Sequence, residues 1–201
     1  GWSAALGAFL IAGVARVVFV HHMTFCINSL CHWTGNRPYS GESSARDSFL
    51  MAVFTFGEGY HNFHHTFQND YRNGVKAWHW DPTKWCIRVL ESLGLVHGLR
   101  QVRRDRILRA EIAERRKRIE ERLRLSRPPA SDTLLAALDT TGSALVEAAA
   151  HWSDLEEKAR DAGARRGALR RSLKTAASGF RDSFERWKSA CLQAESACAA
   201  A

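Results

Sequence analysis

"FGEGYHNFHH", residues 56–65, sets His61, His64 and His65 within five positions of a 201-residue chain that holds nine histidines. Crowded imidazoles compete for hydrogen-bond partners and repel one another once protonated, so such a triplet needs a purpose. On a helix, positions i and i+4 share a face, and i+3 is turned about 60° from i. Helical spacing over "SARDSFLMAVFTFGEGYHNFHHTF" (44–67) predicts one helix carrying all three rings on one side. Their nitrogens could then serve two metals a few ångströms apart. Upstream, Asn28 and His32 are also four apart and can converge on one point. A lone histidine is usually a satisfied core residue; an HxxHH triplet with an NxxxH pair in one small region reverses that reading.

The neighbouring residue types narrow the metal. A zinc protease needs H-E-x-x-H, which is absent. A carboxylate-bridged di-iron bundle needs two E-x-x-H motifs and two further glutamates. Glu58 and His61 form one E-x-x-H, with no second in the chain. A site rich in imidazole and poor in acid suits iron or zinc and disfavours magnesium and calcium. The five cysteines form no CxxC pair, which excludes a zinc ribbon, and their odd number argues against a disulfide scaffold and for a reducing compartment. They read as core fillers or helix-face residues.

Working outward, "GWSAALGAFLIAGVARVVFV" (1–20) carries a single charge, Arg16, and is long enough to span a bilayer. It lacks the basic leader and small-residue cleavage site of a signal peptide. A buried helix of a soluble protein is the alternative; in a membrane, Arg16 would snorkel to the interface or pair within the protein. Trp33, Trp78, Trp80 and Trp85 suit a wet–dry boundary. "TGNRPYSGESSARDS" (34–48) and "QNDYRNGVKAWHWDPTKW" (68–85) are turn-rich loops, and "TKWCIRVLESLGLVHGL" (83–99) repeats Trp85, Val89 and Leu93 as a short amphipathic helix.

From about residue 103 the character changes. Residues 1–102 hold 8 Lys/Arg against 6 Asp/Glu, and 103–201 hold 21 against 15, so most of the formal +8 lies in the second half. Leu108, Ile112, Ile119 and Leu123 form one seam of a charged helix that Pro128-Pro129 stops. Asp132 is placed to cap the next helix. Along it Leu134, Leu138, Thr141, Leu145, Ala148, Trp152, Leu155 and Ala159 alternate four and three apart, a heptad seam that Gly163 and Gly167 interrupt. A third helix carries Leu169, Leu173, Ala176, Phe180, Phe184 and Trp187. The extension has no catalytic constellation, its lone His151 reads as incidental, and nothing in it resembles a nucleic-acid reading motif. Its basic surface suits solvent or an anionic membrane.

"NSLCHWTGNRPY", "GEGYHNFHHTF" and "WDPTKW" together resemble the C-terminal part of the membrane fatty-acid desaturases, specifically the acyl-CoA delta-9 (stearoyl-CoA) group in its bacterial form. The resemblance covers about residues 1–102. It implies an all-α membrane desaturase fold, represented here by a last transmembrane helix (1–20) and cytosolic histidine-bearing helices. The segment 103–201 would be a coiled-coil-like helical extension. It further implies two iron ions, O2 as co-substrate, and a saturated fatty acyl-CoA or acyl-lipid that gains a cis double bond in unsaturated fatty acid biosynthesis. Two electrons would come from a donor such as ferredoxin or a haem cytochrome with its reductase. The extension is not itself a haem module, because it lacks a histidine pair.

Carried over by position, His61, His64 and His65 match the family's last HxxHH. His32 matches its additional histidine, and Asn28 an asparagine that reaches a metal through water. Glu58 reads either as the acceptor of an imidazole N–H or as a surface charge for a partner. Gly57 and Gly59 read as points of close packing. Arg37, Arg72 and Lys76 read as loop charges, and His79 and His97 as interfacial or surface residues. The implied setting is the bacterial inner membrane, with the active-site cap on the cytoplasmic side. The family's HxxxxH box and a further HxxHH are not in this chain, which starts at Gly1 and reads as the second half of a desaturase, inactive alone. Hydroxylation or acyl-lipid desaturation on the same scaffold, or a degenerate membrane-anchored interaction protein, are the competing readings.

Overall fold

In the computed structural model, residues 1–161 and 166–201 are described. The apolar opening run forms α1, Trp2–Trp33, a 32-residue helix long and apolar enough to cross a membrane. At 1.5 Å per residue it extends about 48 Å, well beyond the ~30 Å of a hydrocarbon core, so its last turns extend past such a span. The helix widens to π-type turns over Phe9–Ala15. None of its most apolar stretch is buried within the chain, and Phe9, Ile11, Val18 and Phe19 all face outward. Several of its polar side chains bond to the helix's own carbonyls: Arg16 Nε donates to Ala12 O (3.2 Å), Thr24 Oγ1 to Val20 O (3.0 Å) and Ser29 Oγ to Phe25 O (2.7 Å). That internal satisfaction is what a helix without water around it requires.

The single helix expected over 44–67 is broken in two, α2 (Phe49–Phe54) and α3 (His61–Thr66). Phe56 (φ 54°) and Gly57 (φ 108°) take left-handed backbone conformations between them and reverse the chain. Ser48 caps α2 through Met51 N. A Cβ on Gly59 would land on the backbone of Met51 and Ala52, so only glycine lets the turn lie against α2. The "DPTK" stretch opens α4, Pro82–Ser92: Asp81 accepts from Lys84 N (2.9 Å), and Pro82 occupies the first turn. Asp81 also accepts from Asn73 N (2.9 Å) and Gly74 N (2.8 Å), and Thr83 Oγ1 donates to Phe56 O (3.1 Å). The motif thereby fastens the loop over 68–80 to the histidine-bearing turn. These parts belong to one compact unit, Gly1–Gln101.

The second unit, Val102–Ala201, is built from α5 (Arg104–Ser126), α6 (Ser131–Asp161) and α7 (Arg166–Ala200). Helix α5 ends at Arg127 in a left-handed conformation (φ 49°) just ahead of the two prolines. Asp132 lies inside the first turn of α6 and does not cap it; Ser131 precedes it, with Oγ donating to Pro128 O at 2.7 Å. Ile112, Ile119, Leu123, Leu138, Leu145, Trp187 and Cys191 bury into one core, so the apolar seams of the three helices pack on each other. Gly142 brings α6 close to Ile112 and Trp187, where a Cβ would sit 3.1 Å from Ile112. The interruption expected at Gly163 lies outside the described residues, and Gly167 lies within α7. Among the described residues the fold is all-α, with isolated bridges only at Asn36–Asp47 and Asp47–Tyr60. All five cysteines are free thiols.

Candidate metal centre

Three imidazoles meet where the last turn of α1 comes against α3. His61 Nε2 lies 3.1 Å from His32 Nε2 and 3.1 Å from His65 Nε2. One ring nitrogen from each lies within 4.8 Å of the others. The rings stand nearly edge-to-face, at 79° for His32–His61 and 72° for His61–His65. His61 and His65 come from the i, i+4 spacing, while His32 arrives from 29 residues away.

The donor set fits a cation. Burial, and then the neighbouring rings of His65, His32 and His64, hold His61 down to about 4, so it is neutral at physiological pH. A neutral imidazole has one lone-pair nitrogen and one N–H. His61 Nε2 can donate to only one of its two neighbours, so three converging Nε2 atoms cannot all satisfy each other. An ion among them satisfies every lone pair. Two imidazole nitrogens on one zinc or similar ion, each bonded at about 2.0–2.1 Å, would stand roughly 3–3.4 Å apart, close to the His61–His32 and His61–His65 separations.

The other expected ligands are placed nearby but not in this group. His64 is exposed, with its ring centre 6.2 Å from that of His61 and 5.9 Å from that of His65. Asn28 is exposed one turn before His32 on α1. Glu58 is also exposed, and among the described residues its carboxylate makes no hydrogen bond to an imidazole. Two other expectations are corrected. Arg72 is not a solvated loop charge: it is buried and bonds Asp70 through Nε (2.9 Å) and Nη2 (2.7 Å). His79 is not at the surface: it is buried and stacks on Tyr60 at 4.2 Å, and burial beside Lys76 and Lys84 holds it down to about 4. Lys76 and His97 are exposed, as read from the sequence.

Sequence reasoning missed the residues that build the frame. Asp47 Oδ1 accepts from Asn62 N (2.7 Å) and Phe63 N (3.1 Å), satisfying the open amides at the start of α3. Asn62, fully buried beside His61, accepts from Tyr39 N (2.9 Å) and Ser40 N (3.3 Å). Its Nδ2 donates to Ser40 O (2.8 Å) and Ala45 O (3.0 Å). Ser44, on the same loop, has its Oγ 2.8 Å from His32 Nδ1. None of these contacts is local, so no spacing rule could reveal them; an asparagine inside a histidine triplet was the one available signal.

The chain is similar to fatty-acid desaturases. It is 43% identical over 116 residues to "Probable acyl-CoA desaturase" of Schizosaccharomyces pombe, covering 58% of this chain and 24% of that protein. It is 41% identical over 117 residues to "Acyl-CoA desaturase 1" of Saccharomyces cerevisiae, 58% of this chain and 23% of that one. "Delta-9 acyl-lipid desaturase 1" of Arabidopsis thaliana is 40% identical over 89 residues, 44% and 29% of the two chains. No protein-family model matches the chain. The chain therefore spans about a quarter of the length of these relatives. A match of 116 residues is also longer than the first unit, so the similarity runs into α5.

Proposed function

We propose that this chain supplies the last membrane helix and part of the metal centre of an O2-dependent acyl-CoA desaturase. The reaction is introduction of a cis double bond at the delta-9 position of a saturated fatty acyl chain. The carrying observation is the meeting of His32 with His61 and His65 across 29 residues, in a chain 41–43% identical over 116–117 residues to proteins named as acyl-CoA desaturases. These imidazoles would hold iron, which when bound would supply oxidation by O2, with two electrons from a separate donor such as ferredoxin or a haem cytochrome with its reductase. His32, His61 and His65 hold one ion. His64 and, through water, Asn28 are assigned to complete a two-iron arrangement with histidines beyond those of this chain. Glu58 fits the surface-charge reading better than that of an imidazole partner.

The uncovered apolar surface of α1 supports a bilayer location. Our reading sets the histidine-bearing turn at the cytoplasmic face of a bacterial inner membrane. An acyl-lipid substrate is the second reading, favoured by the similarity to the Arabidopsis delta-9 acyl-lipid enzyme. A chimera tests the proposal. Replacing the matched segment of yeast acyl-CoA desaturase 1 with that of this chain should give a protein that forms unsaturated acyl chains. His61→Ala or His65→Ala in the chimera should abolish the product. A folded chimera whose activity survives both changes would refute the ligand roles.

A further inference from the structure

We infer that Ser44 is a positioning residue whose hydroxyl accepts the Nδ1–H of His32 and so keeps the His32 Nε2 lone pair turned toward His61 and His65. The inference deepens the metal-centre reading and rests on it. His32 is bracketed by two contacts, Nδ1 to Ser44 Oγ at 2.8 Å and Nε2 to His61 Nε2 at 3.1 Å. A neutral ring can hold its proton at either nitrogen. With the proton on Nε2, Nδ1 would accept from the hydroxyl and Nε2 could bind no ion. With the proton on Nδ1, Ser44 accepts it and Nε2 is free to ligate. Ser44 is exposed, so its own hydrogen can turn to solvent and acceptance leaves nothing unsatisfied.

The placement of Ser44 is itself fixed from both ligand-bearing helices. Arg46 N donates to Cys31 O (2.7 Å), one residue before His32. Asn62, one residue after His61, holds Ser40 and Ala45 on either side of Ser44. The loop is thus registered to α1 and to α3 next to a ligand in each case, and Ser44 is where that register reaches an imidazole. Partners that orient a ligand histidine commonly change metal affinity by about 10–100-fold when removed.

Two measurements on the 201-residue chain in detergent test this. The first is histidine 15N–1H correlation of the metal-free protein, with His32 identified as the signals lost in His32→Gln. The wild type should show the Nδ1–H tautomer, Ser44→Ala a mixture, and Ser44→Thr the wild-type pattern. The second is Co2+ titration read by visible absorption. Ser44→Ala should bind about 10–100-fold more weakly with helix content unchanged, and Ser44→Thr should recover most of the affinity. An Nε2–H tautomer in the wild type, or wild-type Co2+ affinity in Ser44→Ala, overturns the inference. If the wild type takes up no Co2+, the metal reading fails, and the tautomer spectrum alone then decides whether Ser44 sets the ring.

Discussion

The two units of this chain are held together by opposite means. In Val102–Ala201 the interior is apolar, with Ile112, Leu123, Leu138, Leu145 and Trp187 interlocked along seams that local periodicity dictates. In Gly1–Gln101 the interior away from α1 is largely polar. Asn62, Asp70, Arg72, His61, His79, Asp81 and Lys84 are all buried there. Buried polar groups must be paired or they cost stability, so most of these residues act as latches, each correct only in one geometry; His79, whose Nδ1 makes no hydrogen bond, is held by its stack on Tyr60. A packed seam gives stability with tolerance; a latch gives position without it. The unit with the converging histidines is the one built from latches, as a site that must hold ring nitrogens to a fraction of an ångström requires.

This contrast can be broken most forcefully at Asn62. Asn62→Leu leaves Tyr39 N, Ser40 N, Ser40 O and Ala45 O without their partner. Tyr39 N and Ala45 O are buried and the two Ser40 groups only partly so; at about 1–3 kcal/mol for each buried group left unpaired, the first unit should lose about 2–6 kcal/mol. Hydrogen exchange should show the Tyr39 and Ser40 amides deprotected, and Co2+ affinity should fall further than in Ser44→Ala. Normal exchange at those amides would show that the latch carries no load. The counterpart in the other unit is Leu145→Ala. It should cost about 3 kcal/mol in denaturant unfolding of the helical core, leaving metal affinity unchanged.

A smaller effect separates the units by pH. The imidazole of His79 is held down to about 4 from an ordinary 6.5, chiefly by burial. The unfolded chain then binds the proton more readily than the folded one. The stability this contributes is full above about 6.5 and is lost as pH falls toward 4. His61, likewise held down to about 4, titrates in the same window. In metal-free protein, His79→Phe should keep the stacking on Tyr60 and flatten, without removing, the acid limb of the first unit's unfolding midpoint. An unchanged limb would place the acid sensitivity elsewhere. The smallest effect should come from Arg116→Ala on α5. Its pairs with Asp139 and with Glu120 (2.6 Å) are partly solvent-exposed and worth up to about 1 kcal/mol.

The same contrast explains what could be read from the sequence. The heptad seam of α6, the long apolar α1 and the pairing of His61 with His65 are all periodic features, and periodicity is local. The four-residue spacing of Asn28 and His32 marked His32 as a candidate, but its meeting with His61, 29 residues on, is a long-range fact. The break between α2 and α3 was missed because apolar spacing continues through Thr55 and Phe56, while the reversal depends on positive φ at Phe56 and Gly57. Arg72 and His79 looked like loop surface because nothing nearby in sequence announces their burial. Asp47, Asn62 and Ser44 act over contacts of 12 to 23 residues, beyond the reach of any spacing rule.

The central claim is that His32, His61 and His65 together hold a metal ion. Its most direct test is anaerobic Fe2+ uptake by the purified chain, with X-ray absorption at the bound ion. Saturable binding with imidazole scattering is predicted, lost in His32→Ala, His61→Ala and His65→Ala alike while helix content is retained. Undiminished uptake in His61→Ala, or bound iron without imidazole scattering, would contradict it.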